Sequence, residues 1–306
     1  MTSAPGNAAA RNAYIGIACT LVSAIGFAGK TVIIKLALQY ESDVMTLLAL
    51  RMLFASPLFI LMAWWAGRPT SPLTRNDWLG VSALGCIGYY LGSYLDFAGL
   101  QYISAGLGRL ILYLYPTLVM ILSVVYLKQK LQRRHLLSLA LSYGGIALAF
   151  QHEFEFGENL SLTLLGAGLV FASAITYSIY LIAGSRIVLK LGSMRFAAYA
   201  SLSSSSFVLA HFFATRGVSQ LVVAHEVYWL IAVMAVFSTV LPLWLMAEGL
   251  KRIGANQVSL VACIGPLSTI LLAHFFLSEP VTGIQLIGAA LVLGGVMIIS
   301  LKPRSV

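Results

Sequence analysis

Gly99-Leu100-Gln101-Tyr102-Ile103-Ser104-Ala105 returns as Gly249-Leu250-Lys251-Arg252-Ile253-Gly254-Ala255, about 150 residues further on. The echo extends both ways. Leu110, Pro116 and Leu127 face Leu260, Pro266 and Leu277. Ala140-Leu141 and Gly144-Gly145 face Ala290-Leu291 and Gly294-Gly295, and Gly16 with Ser23-Ala24-Ile25 faces Gly166 with Ser173-Ala174-Ile175. Self-similarity at one fixed offset means a duplicated unit, each copy about half the chain.

The duplicated unit belongs in a bilayer. Apolar residues make up 59% of the chain and charged residues 9%, against roughly 25% charged in soluble domains. Apolar stretches of about 20 residues, enough to cross ~30 Å of hydrocarbon, predict spans at about 13–36, 44–66, 78–97, 105–127, 134–150, 162–184, 194–214, 227–247, 255–277 and 284–301. The expectation is an all-α integral membrane fold of ten transmembrane helices around a central cavity. A tail over 1–12 precedes a five-helix repeat at 13–150 and a second at 162–301. No period-2 alternation of the β-barrel kind is present.

The net charge of +9 is distributed by topology. With the N-terminus in the cytoplasm, Arg11, Arg68, Arg75, Lys128, Lys130, Arg133, Arg134, Arg186, Lys190, Arg195, Lys251, Arg252, Lys302 and Arg304 all fall inside. Arg216 falls outside, and the outer segment holding His152, Glu153, Glu155 and Glu158 is acidic. This is the positive-inside pattern, and it argues against a nucleic-acid partner. It places both termini in the cytoplasm. An odd number of spans per half then turns the second copy upside down relative to the first, an architecture common among secondary transporters. The N-terminus lacks a signal-peptide layout, so the first span is expected to stay as a helix. Cys19, Cys86 and Cys263 lie inside spans without metal-ligand spacing and read as small buried apolar side chains.

The stretch Glu248 to Ala255, Pro266 in mid-span, Leu277-Ser278-Glu279-Pro280 and Gln285-Leu286-Ile287-Gly288-Ala289-Ala290 through Gly294-Gly295 resembles the EamA repeat of the drug/metabolite transporter superfamily. Gly99 to Ala105, Pro116 and Gly144-Gly145 repeat it in the first half. The resemblance spans essentially the whole chain and implies a transporter of the bacterial-type inner membrane. Its aromatic-rich first half looks most like the exporters of aromatic amino acids. One departure stands out. The family's Gly-Glu pair after the fourth helix survives as Glu279 in the second half and is replaced by Lys128-Gln129-Lys130 in the first. The acidic position therefore reads as a loop cap or packing feature.

Pro116 and Pro266 share one repeat position near mid-span and read as paired hinges, since proline removes a helix hydrogen bond. Small residues at Gly88-x-x-x-Gly92, Ala140-x-x-x-Gly144 and Ala290-x-x-x-Gly294 read as close-packing helix faces. A monomer is expected, with a homodimer through the fifth or tenth span the alternative. Trp64, Trp65, Trp78, Tyr228 and Trp229 sit near span ends as interface anchors. Tyr89, Tyr90, Tyr94, Tyr113, Tyr177, Tyr180 and Trp244 lie at membrane depth, where a hydroxyl needs a partner or water, and are candidates for holding a substrate, with Tyr115 near Pro116 in the same mid-span set.

Charges inside spans cost several kcal/mol and point to function. Lys30 and Arg109 are candidate carboxylate partners of a substrate; Lys35, Arg51 and Asp96 are placed in an external charge network, with Asp96 paired to Arg109 or Arg51. Ser201 and Ser259 stand where a symmetric chain would repeat Arg51 and Arg109, so the site is asymmetric. Glu248 reads as an interfacial ion pair with Lys251 or Arg252, and His211 and His274 as hydrogen-bonded packing residues. No phosphate loop, nucleophile elbow or metal cluster is present, so no cofactor, metal or catalytic residue is assigned. The expected function is secondary transport of a small amphipathic metabolite, an aromatic or neutral amino acid, by alternating access. A drug or sugar-phosphate carrier of the same superfamily is the first alternative and an intramembrane enzyme the remote one.

Overall fold

The computed structural model describes residues 5–40, 42–67, 73–126, 133–156, 159–262 and 264–300. Lys128, Gln129, Lys130, Glu158, Cys263, Arg68, Lys302 and Arg304 lie outside the described residues, as do the side chains of His152, Glu153, Glu155, Ser259 and Leu260. Among the described residues the regular structure is entirely helical. The first half holds α1 (Pro5–Leu38), α2 (Val44–Trp65), α3 (Arg75–Leu84), α4 (Gly92–Gly99), α5 (Ala105–Leu112), α6 (Tyr115–Tyr126) and α7 (Arg133–Phe156). The second holds α8 (Leu160–Leu191), α9 (Ser193–Thr215), α10 (His225–Ala235), α11 (Leu241–Ala262), α12 (Ile264–Leu277) and α13 (Gly283–Ser300).

Six described helical stretches are long and apolar enough to cross a bilayer: Arg11–Leu38, Val44–Trp65, Ala105–Val125, Leu160–Gly184, Met194–Thr215 and His225–Ile253. His135–Ala149, Ile264–Leu277 and Gly283–Ile298 are shorter apolar helices. Trp64, Trp65, Trp229, Phe275 and Phe276 stand exposed on the outer surface. An integral membrane protein presents such an apolar exterior to lipid, with its backbone groups satisfied inside helices.

Local sequence sets the helix starts. Asp43 caps α2 by accepting from the Met45 and Thr46 amides at 3.2 and 3.4 Å. Thr74 and Asp77 form a reciprocal capping box on α3. Ser104 accepts from Leu107 N at the start of α5, and Asn159 from Ser161 N at the start of α8.

One backbone irregularity recurs at the repeat offset among the described residues. A π-helical segment, Gly85–Leu91, joins α3 to α4, and another, Val236–Val240, joins α10 to α11. Such widened turns are often found at functional sites. A break also lies beside Pro116. The span expected at 105–127 is broken at Tyr113 and Leu114, so Pro116 is the second residue of α6. A proline in a first turn loses no intrahelical donor and fits the helical φ. Pro116 therefore follows a break instead of kinking a continuous helix. Pro266 falls in α12, three residues beyond Cys263, which lies outside the described residues.

A different departure appears at 248–254, expected as a loop between spans and helical in the structure. A Cβ on Gly16 would stand 2.6 Å from Ile253 Cγ2, and one on Gly26 2.6 Å from Pro242 Cγ, so α11 runs antiparallel to α1. Val32 packs in one cluster with Ala273, so the chain has turned back along α1 by then.

The packing exchanges the two halves. Gly16 of α1 meets Ile253, and Gly166 of α8 meets the equivalent Ile103; Gly249 meets Thr20, and Gly99 meets Val170. α1 thus packs on α11 and α12, and α8 on α4 and α6. Equivalent helices pair directly and antiparallel. In α7 and α13, Gly145 meets Gly288 while the Ser138 hydroxyl donates to Gly295 O at 2.5 Å. Between α2 and α9, Arg195 donates to Ala66 O at one end, while Arg216 pairs with Asp43 at 3.3 Å at the other.

Candidate functional site

Helical spacing puts Gly88, Tyr89, Gly92, Ser93 and Asp96 along one stripe of the π segment and α4, and this stripe forms one wall of a cavity of about 240 Å³. Phe27 and Lys30 of α1, Arg51 and Met52 of α2, and Arg109, Tyr113 and Tyr115 at the α5–α6 break close the first-half side. Ser173 and Tyr177 of α8, Ser201 of α9, and Ser238, Thr239, Leu243, Met246 and Ala262 supply the second-half side. The volume lies somewhat below the ~300 Å³ lower bound for drug-sized ligands, so the space suits a small metabolite.

The charges are arranged around Asp96. Lys30 Nζ donates to Asp96 Oδ2 at 2.8 Å, both side chains nearly buried. Arg51 is 4% exposed; its Nη2 lies 3.4 Å from Ser93 Oγ, while Nε and Nη1 have no hydrogen-bond partner among the described residues. Phe97 lies between the two cations, 5.7 Å from Lys30 Nζ and 5.3 Å from Arg51 Cζ. Arg109 Cζ sits 5.8 Å from the Tyr113 ring centroid, and its Nε has no partner among the described residues. Its guanidinium reaches the other half, where a Cβ on Gly265 would come within 3.4 Å of Nη2. The Tyr113 hydroxyl donates across the same boundary to Ala262 O.

The aromatic candidates separate into two groups. Tyr89, Tyr113 and Tyr177 line the cavity, joined by Tyr115, whose ring meets those of Tyr113 and Tyr177 edge-on at 5.9 and 5.1 Å. Tyr90, Tyr94, Tyr180 and Trp244 do not line it. Tyr90 and Tyr94 lie on the neighbouring stripe, turned toward α9, where the Tyr90 hydroxyl and His211 Nδ1 share a 2.7 Å hydrogen bond. Tyr180 is packed between Tyr89 and Phe196. Trp244 stacks at a tilt on Trp65 in a separate apolar groove with Leu58, Leu61 and Met194.

The charge network expected at the outer end divides in the same way. Arg51 and Asp96 belong to the cavity, and Lys30, instead of either arginine, is the partner of Asp96. Lys35 stays at the end of the bundle, donating to Ile103 O at 2.7 Å and standing 3.8 Å from Glu279. Glu279 accepts from the Ala105 and Gly106 amides, so a second-half carboxylate caps first-half helix α5. At the opposite end Glu248 pairs with Arg252 at 3.2 Å, and Lys190 with Asp77 at 2.9 Å. Among the described residues no three His, Cys, Asp or Glu gather as metal ligands do.

Residues that the sequence did not single out for the site include Phe27, Ser93, Ser173, Ser238 and Thr239. Small hydroxyl residues at membrane depth were the available signal. Their spacing relative to Asp96 and Tyr89 would have grouped Ser93 with them.

A sequence profile of the EamA-like transporter family matches residues 14–151 and again 164–301. The uncharacterized transporter YcbK of Bacillus subtilis is 30% identical over 298 residues, covering 94% of this chain and 92% of its own. An uncharacterized transporter of Archaeoglobus fulgidus is 24% identical over 277 residues, covering 90% and 94%. A solved crystal structure at 16% identity superposes with a TM-score of 0.63 over 95% of this chain and 96% of its own, a likeness of fold. Two matched repeats covering nearly the whole chain make this protein a member of the EamA-like transporter family.

Proposed function

We propose that this membrane transporter is a secondary carrier that exports small amphipathic metabolites bearing a carboxylate, aromatic and neutral amino acids among them, by alternating access. The observation that carries the reading is the cavity itself. Both halves contribute to its wall, its cations come from the first half, and its aromatic rings come from α1, α2, the π segment, the α5–α6 break and α8. Antiparallel pairing of the equivalent helices α7 with α13 and α2 with α9 supports two inverted repeats, because a two-fold axis relating such pairs lies in the membrane plane. The break before Pro116 supplies the first half with a place to bend. Ties at both ends of the bundle, Asp43–Arg216 at one and Arg195 to Ala66 at the other, would have to open in turn.

Spin labels on exposed positions near each end test this. One pair at Tyr40 and Val218 reports the end with the Asp43–Arg216 tie, and one at Asn76 and Lys251 reports the opposite end. Under alternating access, adding a transported ligand in lipid nanodiscs shifts the two distance distributions in opposite directions. Distances that stay fixed, or that lengthen together, would contradict it.

A further inference from the structure

We propose that, within this substrate range, the cavity prefers an organic anion with an apolar body over a zwitterion or cation of the same body. This assignment rests on the cavity being the transport site. Three cations, Lys30, Arg51 and Arg109, line it against a single carboxylate, Asp96. That carboxylate is already engaged by Lys30 at 2.8 Å. A zwitterion would therefore bring an ammonium to a wall whose net charge is positive, with no unpaired carboxylate to receive it among the described residues that line the cavity.

The two arginines at the cavity wall keep unpaired donors among the described residues. Buried donors normally find partners, and one left without costs about 1–3 kcal/mol, more when charged. Arg51 is 4% exposed yet keeps Nε and Nη1 without a partner among the described residues, and Arg109 keeps Nε so. A carboxylate or phosphate accepts from a planar guanidinium through two parallel bonds. The aromatic wall of Tyr89, Tyr115, Tyr177 and Phe27 then takes the apolar body. The arrangement is one-sided: Ser201, which replaces arginine at the position repeating Arg51, lines the same cavity and bears no charge. An amphipathic anion would lie with its charged end toward the first half.

Four probes that share an aryl body but differ in charge decide the matter, titrated calorimetrically into the purified full chain in detergent micelles. They are 3-phenylpropanoate, phenyl phosphate, phenylalanine and 2-phenylethylamine. The expected order places 3-phenylpropanoate or phenyl phosphate at least about tenfold tighter than phenylalanine, with 2-phenylethylamine weakest. Which of the two anions binds more tightly distinguishes a carboxylate from a phosphate substrate. Arg51→Gln and Arg109→Gln should each weaken anion binding by about 10- to 100-fold, and Arg51→Lys by less. Two Gln variants keep the test decisive where one fails to elute as a monodisperse species. Phenylalanine or 2-phenylethylamine binding as tightly as the anions would overturn the assignment, as would failure of both anions to bind or unchanged affinity in both Gln variants. Anion binding without flux would leave the selectivity standing and sink the transport reading instead.

Discussion

Lys30→Ala is expected to be the most damaging single change at the cavity, because it leaves a carboxylate buried without its cation. Asp96 is 3% exposed and its side chain meets Lys30 at 2.8 Å. Deleting one partner of a buried pair typically costs about 3–5 kcal/mol, since the survivor keeps its desolvation penalty. The double variant Lys30→Ala/Asp96→Asn removes both charges and should recover most of that loss. Thermal unfolding of the three variants in one detergent makes the comparison. A double variant as unstable as the single one would show that the lysine acts by packing on Phe97 and not by neutralising Asp96. Lys30 is in this view a positioning residue: it holds Asp96 neutralised so that Arg51 and Arg109 are left to face the substrate.

The second large effect is expected where α7 and α13 cross. A Cβ added at Gly145 would stand 2.5 Å from Gly288 O and 2.9 Å from Val292 N, both backbone atoms that cannot rotate aside. Gly145→Ala should therefore spread the two helices and cost about 1–3 kcal/mol. Gly144, its neighbour, meets nothing within 4 Å. Gly144→Ala should be neutral or stabilising by up to about 1 kcal/mol, through helix propensity alone. The contrast between adjacent residues, read from thermal unfolding midpoints, is the test; equal losses at both would contradict the packing described here.

That pair also shows how far the sequence could be read. Gly144-Gly145 and Gly294-Gly295 marked a close-packing helix by their repetition, yet adjacent residues point about 100° apart and composition does not choose between them. The small-x-x-x-small pattern favoured Gly144 and Gly294; the contacts fall to Gly145 and Gly295. Helical periodicity could have separated Tyr89, Ser93 and Asp96 from Tyr90 and Tyr94, since each set keeps its own stripe. Arg51 was harder. Its nearness to the start of its span implied an external position, but α2 is buried almost continuously from Val44 to Met52, so depth along the span misjudged its surroundings. The duplication, the membrane class and the break beside Pro116 were legible because apolar runs and repeated Gly and Pro record backbone constraints. Which side chains share one cavity depends on packing between the halves, and the sequence does not record that directly.

Uptake of labelled 3-phenylpropanoate and labelled phenylalanine by proteoliposomes containing only this protein tests most directly whether the cavity between the halves carries a substrate across the membrane. The expected result is saturable uptake without ATP, faster for 3-phenylpropanoate and strongly reduced by Arg51→Gln. No saturable flux of either compound, with the protein shown to be folded and inserted, would contradict it.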